Sequence, residues 1–421
     1  MGFSLFPIAF VIILFFPCIL AYEFASTIIV DQSGKGQFKT IQDAINSVPS
    51  GNNKWFRIDI YPGIYNENVF IPAEKEYLFL QGSNLSQTII SSDVHTSSLS
   101  ATFRSSANNL VAKNIKFVNS YNINQKINII PAPAATIYGD KIAFYNCEFV
   151  GYQNTLADAR GRHYYKSCHI EGALDFIWGW GQTVFEECKI KVTGEPDSRG
   201  YITAQGRESV EDSNGFVFLN CDVDGVGKAY LGRAYGASSR VVFIKSTLSS
   251  VVIPMGWDAW VHKDHKGDLT YVEAGCRGSG ANSLERECKI NVTGVPNSKG
   301  YITAQGRESK DDPNGFVFLK CDVDGIGQAY LGKPYGSFSR VIFIQSTMSS
   351  VVIPAGWDAW VHQGFEGDLT YLEAGCRGSG ANSLQRVPWA WIMSYNRVYL
   401  EQFNPQNFND KDGWIANTLF K

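Results

Sequence analysis

Residues 144–190 read FYNCEFVGYQNTLADARGRHYYKSCHIEGALDFIWGWGQTVFEECKI, and how they repeat decides the fold. FYNCEF, YKSCHI and FEECKI set Cys147, Cys168 and Cys188 about 20 residues apart, and FLNCDV repeats the pattern around Cys221. Each run is short, rich in Ile, Val, Phe and Tyr, and closed by Gly, Asn or Asp, which is strand-and-turn chemistry. No helical period separates the runs. Strands this short at such a period stack as coils of a parallel β-helix, each burying its inward side chains on its neighbours. A β-sandwich is the alternative architecture that the same pattern allows. The runs FRIDIYP, YLFLQG, TIISS, LVAKNIKFVN and ATIYGDKIAFYNC carry the array toward the N-terminus. The cysteines read as small buried residues at equivalent places of the repeat, since no CxxC and no His cluster offers a metal site. One segment departs from the pattern. TIQDAINSVP (Thr40 to Pro49) puts Ile41, Ala44, Ile45 and Val48 on one helical face, which suits a cap over the open edge of the first coil.

The 421 residues carry a formal net charge of −3, which leaves no electrostatic footprint for nucleic acid. Low charge (18%) with many aromatics (14%) suits an all-β extracellular protein. Residues 1–21, MGFSLFPIAFVIILFFPCILA, form an apolar run followed at once by polar sequence. They read as a secretory signal peptide cut near Ala21, although the n-region lacks Lys and Arg. An uncleaved anchor helix is the alternative. Asn84-Leu-Ser and Asn291-Val-Thr are glycosylation acceptors by pattern.

A coarser repeat runs through the C-terminal half. Residues 187–286, opening ECKIKVTGEPDSRGYITAQGRES, recur without a gap as residues 287–386, opening ECKINVTGVPNSKGYITAQGRES. Most aligned positions are identical, so this is a duplication, in the gene or in the gene model. The expected organisation is a signal peptide (1–21), a domain over 22–286 that includes the first copy, a second tandem copy (287–386) and a C-terminal tail (387–421). The GWDAW segment of each copy is expected to leave the coil pattern, so that two such segments compete for one docking surface.

Asp175 lies inside the apolar run LDFIWG, where a carboxylate is costly without partners. Such an acid is hydrogen-bonded for structure or tuned for chemistry. Here a wider pattern enters. IIVDQSGKGQFKTIQDAINSVP, YPGIYNENV, GYQNTL, LDFIWG, LGRAYG and GWDAW, in that order and spacing, resemble the plant pectin methylesterase (pectinesterase) family. The resemblance covers the whole chain after the apolar leader once one copy of the duplication is set aside. It implies a right-handed parallel β-helix, the pectin lyase-like solenoid, secreted to the cell wall. It also implies hydrolysis of methyl esters of homogalacturonan (pectin) without metal or cofactor, and a pectinesterase inhibitor protein as a partner. No membrane partner is expected after signal cleavage. Carboxylate clusters for Ca²⁺ and paired Asp motifs, which pectate lyases and galacturonases need, are not found.

The same resemblance assigns roles. Asp175 matches the nucleophile and Gln153 an oxyanion donor. Asn154 stands where the family carries the Asp that protonates methoxide and later activates water. Arg233 of LGRAYG matches the Arg that keeps the nucleophile ionised, and Tyr235 replaces a sugar-packing Trp. Tyr235, Phe176 and Trp178 are expected to form an aromatic platform for pyranose rings. Copy two reads LGKPYG, and Lys333 lacks the planar fork, so Arg233 is the expected supplier. Pro131 falls where a second oxyanion Gln belongs and brings neither side-chain donor nor N–H; the polar run Asn122 to Asn128 is the other source for that donor. Tyr65, Glu67 and His163 are expected to be scaffold. The expectation is therefore a pectinesterase with activity impaired at Asn154 and Pro131, or alternatively an inactive pectin-binding wall protein.

Overall fold

The computed structural model describes residues 24–95, 100–124, 128–195, 198–263, 268–281, 289–294, 298–310, 315–319, 321–381, 383–393 and 403–415. The leader 1–21 and the junction between the copies lie outside the described residues. From Ser26 to Ala274 the chain winds as a parallel β-helix in which successive coils lend strands to three sheets. One sheet has ten strands, from Ser26–Val30 to Thr270–Ala274. The other two have eight each, from Gly63–Asn66 to Thr247–Leu248 and from Val69–Ile71 to Trp257–Asp258. The pairings are parallel throughout, which settles the architecture against a sandwich of antiparallel sheets.

The register follows the sequence period. Phe144 lies beside Tyr165, then Phe185, Phe218 and Phe243 in successive coils. Their rings stack at centroid distances between 4.3 and 5.1 Å, within 14° of parallel. Each such pair adds ~0.5–1.5 kcal/mol beyond the buried area. The cysteines form a second interior column of free, buried thiols. Cys168, Cys188 and Cys221 donate to the carbonyls of Phe144, Tyr165 and Phe185 in the neighbouring coil, each at 3.4 Å.

The capping helix spans Ile41–Ser47, shorter than expected, because Val48 precedes Pro49 and is driven into the extended region. Thr40 caps its start, and the Glu67 carboxylate accepts from the N–H groups of Ile41 and Gln42 at 3.0 Å each. Ile41, Ala44, Ile45 and Val48 are buried against the first coil, as their spacing requires.

Copy two builds a smaller stack of its own. Its sheets are Lys289–Thr293 with Asp322–Ile326 and Thr347–Met348; Lys299–Gln305 with Gln328–Pro334; and Phe316–Leu319 with Arg340–Ile344, Thr370–Ala374 and Trp391–Met393. Among the described residues none of these strands pairs with the larger helix. The two GWDAW segments do not compete, contrary to expectation. Trp257 packs between Phe243 and Tyr271, and Trp357 between Phe343 and Tyr371, because each copy brings its own coil neighbours. Beyond the second stack the tail returns to the first. Phe403, Phe408, Trp414 and Ile415 cover the outer face of the ten-stranded sheet over Tyr145, Tyr164 and Val184. Asn409 donates to the His163 carbonyl at 2.5 Å, and Asp412 pairs with Lys141 and Arg162.

Candidate active site

Two turns in neighbouring coils create the site. The chain turns at Asn154 (φ 59°) between Glu148–Val150 and Leu156–Asp158. One coil later it turns at Asp175 (φ 45°) between His169–Gly172 and Ile177–Gly179. Left-handed backbone is uncommon outside Gly, and Asn and Asp tolerate it best. Gln153 bridges to Leu174 and Leu156 pairs with Ile177, so Asn154 stands beside Asp175 at one strand spacing, about 4.8 Å. The Asn154 N–H donates to the Leu174 carbonyl at 3.0 Å, locking the two turns together.

Arg233, on Lys228–Ala234, closes a fork on the acid. Its Nε donates to Asp175 Oδ1 at 2.8 Å and its Nη2 to Oδ2 at 2.5 Å. The guanidinium lies 4.2 Å from the ring centroid of Trp260 and 4.9 Å from that of Tyr201. Tyr201 in turn donates its hydroxyl to Asp258 at 2.9 Å, and Asp258 accepts the Trp260 N–H at 2.8 Å. The acid in front and the two rings therefore fix the plane of the fork. Asp175 is only 7% exposed. Burial pushes its carboxyl above the usual carboxylate range, and the charge and hydrogen bonds of Arg233 offset only part of that, so the net shift is upward. The bidentate fork is the geometry of an ionised carboxylate.

Aromatic rings cluster beside the ion pair. Tyr235 stacks on Trp260 at 5.9 Å and meets Trp180 and Trp178 edge-on at 5.7 and 6.5 Å. Trp178 is mostly buried, and its indole N–H has no partner among the described residues. Phe176, expected in this cluster, is fully buried in the solenoid interior instead. The left-handed turn at Asp175 redirects the chain between the two strands, leaving the acid on the outside and Phe176 in the interior. Gly172 makes room for it, since a Cβ there would meet Phe176 Cβ at 2.4 Å. Trp180, not singled out in the sequence, takes the vacant place in the cluster.

Gln153 and Asn154 are half-buried, and neither side chain has a protein partner among the described residues. The segment at Pro131 runs alongside, with the Ala132 N–H donating to the Gln153 carbonyl at 3.3 Å. Asn122 does not replace the missing donor: it is buried and spends its amide on the Ile130 backbone at 2.7 and 3.3 Å. Residues 125–127 of that run lie outside the described residues. His163 is buried, with Nδ1 2.9 Å from Asp158 Oδ1 and Nε2 2.7 Å from the Gly139 carbonyl. Tyr65 is equally buried, its hydroxyl donating to the Tyr61 carbonyl at 2.9 Å. Tyr201, Asp258 and Trp260 were the residues the sequence reading missed. The signal for two of them was GWDAW itself, since a guanidinium holding a buried acid needs flat neighbours.

Among the described residues no helix is long and apolar enough to cross a membrane. The pectinesterase family pattern matches residues 27–288 and matches again over 283–412. The chain is 50% identical over 268 residues to probable pectinesterase 55 of Arabidopsis thaliana, which covers 62% of this chain and 81% of that protein. Its fold is similar to that of the pectin methylesterase from Aspergillus niger, with a TM-score of 0.56, 27% identity, and coverage of 65% of this chain and 93% of that one. A pectin methylesterase mutant in complex with a hexasaccharide is similar too, with a TM-score of 0.53, 25% identity, and coverage of 62% and 91%. With a parallel β-helix, an ordered series of motifs and a family pattern that spans most of its length, the chain belongs to the pectinesterase family.

Proposed function

We propose that the chain acts on homogalacturonan of the plant cell wall, hydrolysing its methyl esters through Asp175 at a rate held down by Asn154 and Pro131. The observation that supports this best is the two-point fork of Arg233 on a buried Asp175, with a cluster of aromatic rings beside it. In this reading one Asp175 oxygen attacks the ester carbonyl carbon, whose oxygen takes the charge and is met by the free amide of Gln153. Collapse breaks the bond to methoxide and leaves the sugar carboxyl joined to Asp175 as an anhydride. Water then adds, returning a galacturonate carboxylate and a free Asp175. Methoxide needs a proton, and the Asn154 amide is too weak an acid to supply one, so the proton comes from solvent. A missing general acid costs on the order of 10²–10⁴ in rate, and a missing oxyanion donor about 10²–10³. The two losses do not simply multiply, because the groups act as a unit.

Methanol release from highly esterified pectin by the purified chain is the test. Release above that of an Asp175→Ala variant is expected, with Asn154→Asp raising it at least about tenfold and Pro131→Gln raising it further. No release above Asp175→Ala sinks the esterase reading. It would leave the second one, favoured by Asn154: an inactive wall protein that keeps the site and binds pectin.

A further inference from the structure

Copy two rebuilds one half of the site and leaves out the other. Lys333 takes the place of Arg233, with its Nζ 4.1 Å from the ring centroid of Trp360 and 4.5 Å from that of Tyr301. Tyr335 stacks on Trp360 at 6.1 Å, matching Tyr235 on Trp260. Asp358 accepts the Tyr301 hydroxyl at 2.6 Å and the Trp360 N–H at 2.9 Å. The duplicated sequence starts at Glu187, after Asp175, so this half-site has no counterpart of the acid. In the larger helix the cation is neutralised by Asp175. Among the described residues Lys333 forms no ion pair, and the one carboxylate of its cradle, Asp358, is engaged by Tyr301 and Trp360. The rings beside it are open to solvent: Tyr335 is 67% exposed and Trp360 37%.

A partly buried lysine between solvent-exposed rings fits an anionic sugar. We propose that this cradle binds de-esterified galacturonan, with a uronate carboxylate on Lys333 and pyranose faces on Tyr335 and Trp360. The inference rests on homogalacturonan being the polymer handled by the larger helix. A methyl ester offers Lys333 no charge, whereas the hydrolysed residue does, so the cradle selects product over substrate. Joined to the larger helix in one chain, a product-binding unit raises the local concentration of the polymer at the Asp175 site.

Affinity electrophoresis of the full chain through gels containing polygalacturonate or highly methyl-esterified pectin tests this. Stronger retardation by polygalacturonate is expected. Lys333→Gln and Tyr335→Ala should each weaken it tenfold or more, while Lys333→Arg retains it. Retardation unchanged by Lys333→Gln overturns the proposal, as does retardation lost on Tyr235→Ala and kept by Lys333→Gln. Polygalacturonate carries no ester, so this outcome is independent of methanol release, and failure of the esterase reading is seen in a separate assay.

Discussion

The two copies set nearly the same local structure in different company. Phe218 and Phe243 stack at 4.3 Å, Phe318 and Phe343 at 4.4 Å. Tyr201 and Tyr230 stack at 5.2 Å, Tyr301 and Tyr330 at 5.3 Å. The surroundings differ. In copy one Gly215–Leu219 pairs with Gln182–Glu186, and Phe216 and Val217 are fully buried. In copy two no preceding coil covers Phe316–Leu319 among the described residues, and Phe316 and Val317 are 43% and 60% exposed. A coil's shape is thus local, while its burial and its chemistry come from the coil before it and, on the outer face at Val217, from the tail laid over the sheet. The same contrast turns one arginine into half of an ion pair and its lysine counterpart into an open cation.

The strongest way to break this comparison is to remove residues 287–386. That joins the first copy to the tail, so Trp391–Met393, which now pairs with Thr370–Ala374, can pair with the equivalent Thr270–Ala274. Calorimetry should then show one cooperative transition at a higher Tm than the larger helix has in the full chain; a lower Tm refutes it. Next in size are the matched substitutions Phe243→Ala and Phe343→Ala, each costing about 3–5 kcal/mol. Each should lower the transition of its own unit only, and a shared shift would mean that the two stacks unfold together.

A subtler contrast is pH. His163 has no counterpart in copy two, because the duplication begins after it. Burial lowers its pKa, but the charge and hydrogen bond of Asp158, the Gly139 carbonyl and the charge of Asp140 outweigh that, and the net shift is upward. A group whose folded pKa is raised stabilises fully below its unfolded value, about 6.5, and loses that contribution as pH rises through the folded value. The larger helix should therefore lose stability as pH rises through that window, by at most about 1.4 kcal/mol per pH unit for one proton. The smaller unit should not, and His163→Gln should flatten the profile. Thr40→Ala is the mildest test, costing the capped unit about 1 kcal/mol and the uncapped one nothing, as read by the two transitions.

Most of the fold was legible because its determinants are local and periodic. The aromatic-Cys period from Cys147 onward gave the coil, and the spacing of Ile41, Ala44, Ile45 and Val48 gave the cap. The misreadings came from side-chain direction and from neighbours. LDFIWG shows that Asp175 and Phe176 are adjacent, but only the turn at Asp175 says which of them faces inward. GWDAW is too short to display a strand period, yet Trp257–Asp258 pairs with Gly232 and Arg233. Tyr201 and Trp260 reach Arg233 from other coils, a proximity that no single motif displays.

The cysteine column has a practical consequence. Cys147, Cys168, Cys188 and Cys221 are free and buried, and burial pushes the Cys147 thiol up to about 12. Thiols in that state react with alkylating agents only when their coil opens. Four successive coils of the larger helix thus carry their own chemical reporters. Mass-resolved labelling over time would read the order in which the coils come apart, without any probe having to be introduced.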